Sequence, residues 1–195
     1  LATDDIRSVP RQTASECVCI DFTTPAAFRE NYGFLAENFK AVVVGTTGWD
    51  DIEDDVVDCF RKFGTTMIYA SNFSIGVNVL YAAVELLSKK LGAIGGYMPY
   101  IIEKHHIHKL DAPSGTAKSI AEIVNAEMGG NVAIESVRCG EIPGIHTVGY
   151  EGVNDRITIT HEAFSRAGFA QGAVYAAMLT ETLSGVHRFR DLITA

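Results

Sequence analysis

Three short apolar runs, Cys17–Phe22 (CVCIDF), Ala41–Gly45 (AVVVG) and Thr66–Ala70 (TMIYA), are separated by two helix-length segments. This alternation constrains the fold more than anything else in the sequence. Each run is rich in Val, Ile or aromatic residues and short enough to be a buried strand. Thr24 can cap a helix that begins with Pro25 and runs to about Phe39. A second helix is predicted over about Trp49–Phe63. Asp50, Asp51, Glu53, Asp54 and Asp55 lie near its start, Arg61 and Lys62 near its end, and Gly64 just beyond. That charge order suits the helix dipole, and the glycine suits a C-terminal cap. Strand–helix–strand–helix–strand with short connections implies a parallel sheet with right-handed crossovers.

After Ala70 the pattern changes. A long apolar helix is predicted over about Val77–Leu91, then a strand near Tyr97–His105, a turn at Asp111-Ala112-Pro113 and a helix from Ser114 to about Met128. Strand candidates follow at Val132–Cys139, His146–Glu151 and Arg156–His161, and a helix over about Phe169–Leu183 closes the chain. Arg156–Thr160 (RITIT) alternates polar and apolar residues, as in a sheet with one wet face. The expected class is therefore α/β: a partial Rossmann-like parallel-sheet domain, residues 1–72 with 173–195, plus an α+β domain, residues 73–172, with a mixed or antiparallel sheet.

Composition narrows the partners. The formal net charge of −8 argues against nucleic acid, because phosphate binding needs a cationic surface. No apolar run approaches the roughly 20 residues that span a bilayer, so no membrane role is expected. Cys17, Cys19, Cys59 and Cys139 show no zinc-type spacing and read as reduced thiols packed as small hydrophobes, which points to the cytoplasm.

Two regions carry candidate chemistry. Gly45-Thr46-Thr47-Gly48 directly follows a predicted strand, where a glycine turn lets a nucleotide approach the backbone. An ordinary tight turn explains it equally well. The other two strand ends, Asp21-Phe22-Thr23-Thr24 and Ala70-Ser71-Asn72-Phe73, would share the same sheet edge. The second region is Lys104-His105-His106-Ile107-His108-Lys109. Read as an extended segment, it puts His105 and Lys109 on one face and His106 and His108 on the other. It fits a general acid with a cationic neighbour, a histidine metal site or a solvated basic edge strand. Asp111-Ala112-Pro113-Ser114-Gly115-Thr116 follows at once and opens a helix, whose free N–H groups and hydroxyls make an anion site. A cationic pocket in an acidic chain suggests a small anionic substrate. Arg138 and Arg166 are further candidates for binding a carboxylate, though each alone reads more readily as a surface or salt-bridge arginine. His161 and His187 read as structural.

The string Glu103-Lys104-His105-His106-Ile107-His108-Lys109-Leu110-Asp111-Ala112-Pro113-Ser114-Gly115-Thr116-Ala117 resembles the signature of the dihydrodipicolinate (4-hydroxy-tetrahydrodipicolinate) reductase family. Ile20–Thr23, Val44–Trp49, Asn72–Asn78, Arg138–His146 and Thr160–Gly172 are similar to further family motifs, in family order. The resemblance covers nearly everything from about residue 17 onward. It implies reduction of a cyclic dicarboxylate with NADH or NADPH on the diaminopimelate–lysine route, in a cytoplasmic homotetramer. It implies that His105 donates a proton with Lys109 as the second catalytic group, and that His106, Ser114, Gly115 and Thr116 hold the carboxylates. It further implies that Phe22, Thr23, Gly45, Thr46, Thr47, Ala70, Ser71, Asn72 and Phe73 line the cofactor site, and it implies no metal. Family members begin with a strand and a G-x-x-G-x-M-G turn, which Leu1–Glu16 does not contain. The natural chain is accordingly expected to be longer; the alternative is a remnant that binds dicarboxylates and oligomerises without cofactor-dependent catalysis.

Overall fold

The computed structural model describes residues 5–194; residues 1–4 and 195 of the first expected domain lie outside it. The chain divides into two compact units, with the boundaries after Phe73 and after Gly168.

In the first unit, a short helix α1 (Arg11–Ala14) precedes β1 (Val18–Asp21), α2 (Pro25–Asn38), β2 (Ala41–Val44), α3 (Glu53–Phe63) and β3 (Thr66–Tyr69). Thr24 caps α2 by accepting from the Ala27 N–H, and Pro25 occupies its first position. α3 ends on Gly64 at φ 71°, a left-handed conformation that glycine adopts without strain. Its predicted first turn is a separate 3-10 turn, Asp50–Ile52.

Among the described residues, the strands of this unit, with a further strand β8 (Val186–Arg188), pair in the order β1-β2-β3-β8, all parallel. Strand β8 (Val186–Arg188) and the helix after it, Phe189–Thr194, come from the C-terminal segment. β2 is wholly buried, and its alternation feeds two cores. Val42 and Val44 pack with Phe28, Leu35, Val56 and Phe60 of α2 and α3. Val43 packs on the opposite face with Ile68, Phe73, Ala173, Ala176 and Phe189.

The second unit holds α4 (Ile75–Ile94), β4 (Met98–His105), α5 (Gly115–Met128), β5 (Ala133–Arg138), β6 (Ile145–Glu151) and β7 (Arg156–Glu162). The remaining helices, α6 (Ala167–Leu179) and α7 (Phe189–Thr194), follow it in sequence. Its sheet order is β5-β4-β6-β7. β4 runs parallel to β5 and antiparallel to β6, and β6 is antiparallel to β7, so the sheet is mixed. Helices α4 and α5 cover one face through Val77, Leu80, Val84, Ile120 and Val124, against Ile101, Val148 and Tyr150. Tyr150 is fully buried, and its hydroxyl donates to the Val84 carbonyl and meets Ser88 Oγ, so its polar tip is satisfied.

That inner face changes character at one end. The register aligns Ser136, Glu103, His146 and His161 across four neighbouring strands. His105, two residues beyond Glu103 on β4, points to the same side. Among the described residues no helix is long and apolar enough to cross a membrane.

Candidate active site

Glu103 is fully buried, and its carboxylate organises this polar end. Arg138, reaching over from β5, grips it with both terminal nitrogens, Nη2 to Oε1 at 2.7 Å and Nη1 to Oε2 at 2.9 Å. His105 Nδ1 meets Oε2, and the Ser114 backbone N–H donates to Oε1. Burial pushes the carboxyl up, but the bonds from Arg138 and His105 more than offset this and hold it at about 2. Glu103 is thus an anion at neutral pH.

His105 is buried, and its ring lies edge-on to His146 with centroids 5.1 Å apart. Burial lowers its pKa, Glu103 opposes that, and the charges of Lys109 and Arg138 lower it further. Its Nε2 sits where residue 144 has no side chain: a Cβ on Gly144 would lie 3.0 Å away. His146 is buried too and is depressed to about 4, first by burial and then by His105. His161 is lowered by burial.

Folding therefore disfavours protonation of His146 relative to the unfolded chain, so stability present at neutral pH is lost as pH falls. For His146 the window runs from the ordinary 6.5 down to about 4. We expect the urea midpoint to drop steadily from pH 7 to pH 4, with His146 contributing on the order of 2–3 kcal/mol. His146→Asn should flatten the slope; an unchanged slope in this variant would contradict the assignment.

The histidine run does not continue as a strand. β4 ends at His105, and the next residues turn: His106 N–H donates to the Ile142 carbonyl, Ile107 N–H to Gly140, and Lys109 N–H to His106. The face parity expected for His105 and Lys109 fails for that reason, because alternation holds only in extended backbone. Lys109 is still close enough for its charge to act on His105. Its Nζ donates to Asp111 Oδ1 at 2.7 Å. Lys109 and then backbone N–H groups, including that of Gly115, hold the Asp111 carboxyl below the usual range.

Ser114 caps α5, accepting from the Ala117 N–H, and its Oγ lies 3.1 Å from His146 Nε2. It is 2% exposed, so its hydroxyl works within the protein. Gly115 is exposed, with open space where a Cβ would stand, and Thr116 is half-buried beside it. His106 is half-buried with Nδ1 unpartnered, and exposed His108 pairs with Glu141 at 3.3 Å. Among the described residues no three His, Cys, Asp or Glu side chains are grouped to hold a metal ion.

In the first unit, the parallel order brings the ends of β1, β2 and β3 to one edge. Buried Asp21 braces it, its Oδ1 accepting from the Thr23 N–H, the Thr23 hydroxyl and the Thr46 hydroxyl at 2.7–2.9 Å. Phe22 is half-exposed with its ring on the Gly45 backbone, where a Cβ would approach to 2.3 Å. Thr47 and Ser71 are exposed, whereas Ala70 and Asn72 are half-buried. Thr46 and Phe73 are buried, Phe73 against Phe189 at 4.9 Å, so both shape the edge from beneath. An exposed aromatic ring on a glycine backbone is a surface on which a flat heteroaromatic ring can stack.

Sequence reasoning gave no role to Glu103, His146 or Asp21. Glu103 was findable, since position i−2 in a strand shares the face of His105. His146 enters through the β4–β6 register, which no local pattern encodes. Arg138 grips a carboxylate of the chain itself. Arg166 is exposed.

Two family profiles match: "Dihydrodipicolinate reductase, N-terminus" over residues 1–73 and "Dihydrodipicolinate reductase, C-terminus" over residues 76–193. The chain belongs to the dihydrodipicolinate reductase family. It is 36% identical over 203 residues to the 4-hydroxy-tetrahydrodipicolinate reductase of Christiangramia forsetii, covering 98% of this chain and 85% of that protein. It is 38% identical over 178 residues to the enzyme of that name from Xanthomonas euvesicatoria pv. vesicatoria, covering 90% and 72%. The dipicolinate-bound dihydrodipicolinate reductase from Paenisporosarcina sp. TG-14 superposes with a TM-score of 0.78 at 23% identity, over 90% of this chain and 73% of that one. That likeness establishes the fold. Membership makes the chain an oxidoreductase with NADH or NADPH as cofactor, and the aromatic–glycine edge of the first unit fits a nicotinamide.

Proposed function

We propose that this dihydrodipicolinate reductase family member reduces 4-hydroxy-tetrahydrodipicolinate to tetrahydrodipicolinate, with loss of water, on the diaminopimelate–lysine route in the cytoplasm. The observation that carries the reading is a buried histidine seated on an ionised carboxylate, with Nε2 at a side-chain-free position and the N-terminus of α5 close by. A bound nicotinamide supplies hydride, and Phe22, Thr23, Gly45, Thr46, Thr47, Ala70, Ser71, Asn72 and Phe73 would hold it.

The rest falls to the chain's own side chains. His105 Nε2 delivers the proton that completes the reduction, and Lys109 lowers the charge cost of the developing anion. His106, Ser114, Gly115 and Thr116 hold the two substrate carboxylates. Gly115 and Thr116 act through their position at the helix start, and Ser114 acts by fixing that start. A substrate carboxylate reaching Lys109 and the Gly115 N–H would replace Asp111 there. The uncovered face of the second unit's sheet, where Met98 is 71% exposed and Val137 38%, supports self-association as a homotetramer.

The test is substrate-dependent oxidation of NADH or NADPH by the purified chain, with separate titrations of nucleotide and pyridine-2,6-dicarboxylate. Turnover with both ligands bound is expected. Dicarboxylate binding without nucleotide binding or turnover would replace the proposal with a binding-only role.

A further inference from the structure

Four hydrogen-bonding groups converge on one fully buried carboxylate that the proposed chemistry does not itself require. Glu103 accepts from His105 Nδ1, from both terminal nitrogens of Arg138 and from the Ser114 N–H. Arg138 Nη2 also donates to the Asp111 carbonyl at 2.7 Å, so the same pair grips the segment leading into α5.

We propose that Glu103 is a positioning residue: with Arg138 as counter-ion, it fixes the tautomer of His105 and ties that ring to the start of α5. The proposal rests on His105 being the proton donor. An ionised carboxylate can only accept, so a ring nitrogen bonded to it must carry hydrogen. His105 Nδ1 is therefore the permanent N–H, and Nε2, beside Gly144, is the nitrogen that gains and gives the proton.

The groups facing His105 are Glu103 on its own strand, Arg138 from β5, His146 from β6 and Lys109 from the following turn. Arg138 and Lys109 oppose the imidazolium, as does burial, and Glu103 favours it. Removing the Glu103 charge therefore leaves His105 harder to protonate. A general acid is lost as pH rises through its pKa, so the alkaline limb of kcat must move to lower pH.

The experiment compares the whole chain with Glu103→Gln, Glu103→Asp and the double variant Glu103→Gln with Arg138→Met. The double variant also removes the half-buried cation that Glu103→Gln would leave without its carboxylate. Circular dichroism melts establish folding. Long-range 1H–15N spectra of histidine-labelled protein, assigned with His105→Gln, read the tautomer.

The unaltered protein should show a single Nδ1–H tautomer at His105. Glu103→Gln should show mixed tautomers, a limb displaced downward by about one unit or more, and kcat at neutral pH lowered by about 10–100-fold, with KM changed far less. The double variant should keep the mixed tautomers with a smaller displacement, because the opposing Arg138 charge is gone too. Glu103→Asp keeps the charge and should retain the limb. A folded Glu103→Gln variant with the original tautomer and limb, or a folded double variant with the original tautomer, overturns the proposal. Absence of turnover in the unaltered chain would refute the reductase reading, and the spectra would still decide whether Glu103 sets the tautomer.

Discussion

His105→Ala is expected to lower kcat by about 10²–10⁴-fold, the usual loss for one general acid, with a much smaller change in KM. The groups proposed to hold the carboxylates lie at the α5 start and in the turn after β4, so truncating His105 leaves them in place. Lys109→Ala is expected to act in the same direction. Lys109 contacts Asp111 rather than His105, and its charge reaches the ring through space, so its effect should weaken as ionic strength rises. Steady-state kinetics across substrate concentration separate the two parameters. Unchanged kcat in both variants would rule out these roles.

The largest effect on folding is expected at Gly172. A Cβ built there would lie 1.7 Å from the Phe73 carbonyl oxygen, far inside contact distance. Both neighbours are constrained: Gly172 is inside α6, and Phe73 is locked between Phe189 and Phe22. Backbone cannot rotate away as a side chain can, so Gly172→Ala should cost about 3 kcal/mol or more. Gly168 in the same helix has nothing within 4 Å of its Cβ position, and Gly168→Ala should be neutral or gain about 0.5–1 kcal/mol. Urea unfolding of the pair reads the difference directly, and equal midpoints would mean that α6 does not press on Phe73.

The first unit was legible because its signals are local. Thr24-Pro25 starts α2, Gly64 ends α3, and AVVV is apolar on both faces because the strand is covered on both. Strand β8 was not legible, since Val186–Arg188 is too short to show a period and pairs with β3 across more than a hundred residues. The candidate site divides the same way. His105 and the helix start at Ser114 lie in one continuous string, yet what holds them together does not. Arg138 and His146 arrive through pairings of β5 and β6 with β4, which depend on tertiary register. The turn after His105 was read as an extended segment because its hydrogen bonds go to Gly140 and Ile142 in a distant loop.

The polar end of the second unit's inner face has a consequence for heat resistance. Next to the packing of Ile101, Val148 and Tyr150, the chain buries the Glu103 carboxylate, paired with a half-buried Arg138, and the rings of His105 and His146. Well-packed apolar replacements of buried ion pairs are often more stable by about 1–4 kcal/mol. The triple variant Glu103→Leu, His105→Leu and Arg138→Met, which leaves no buried ring N–H without an acceptor, is thus expected to melt higher and to reduce its substrate poorly. Selection for thermal stability alone would erase the site from within, and durability and turnover in this protein compete for the same few side chains.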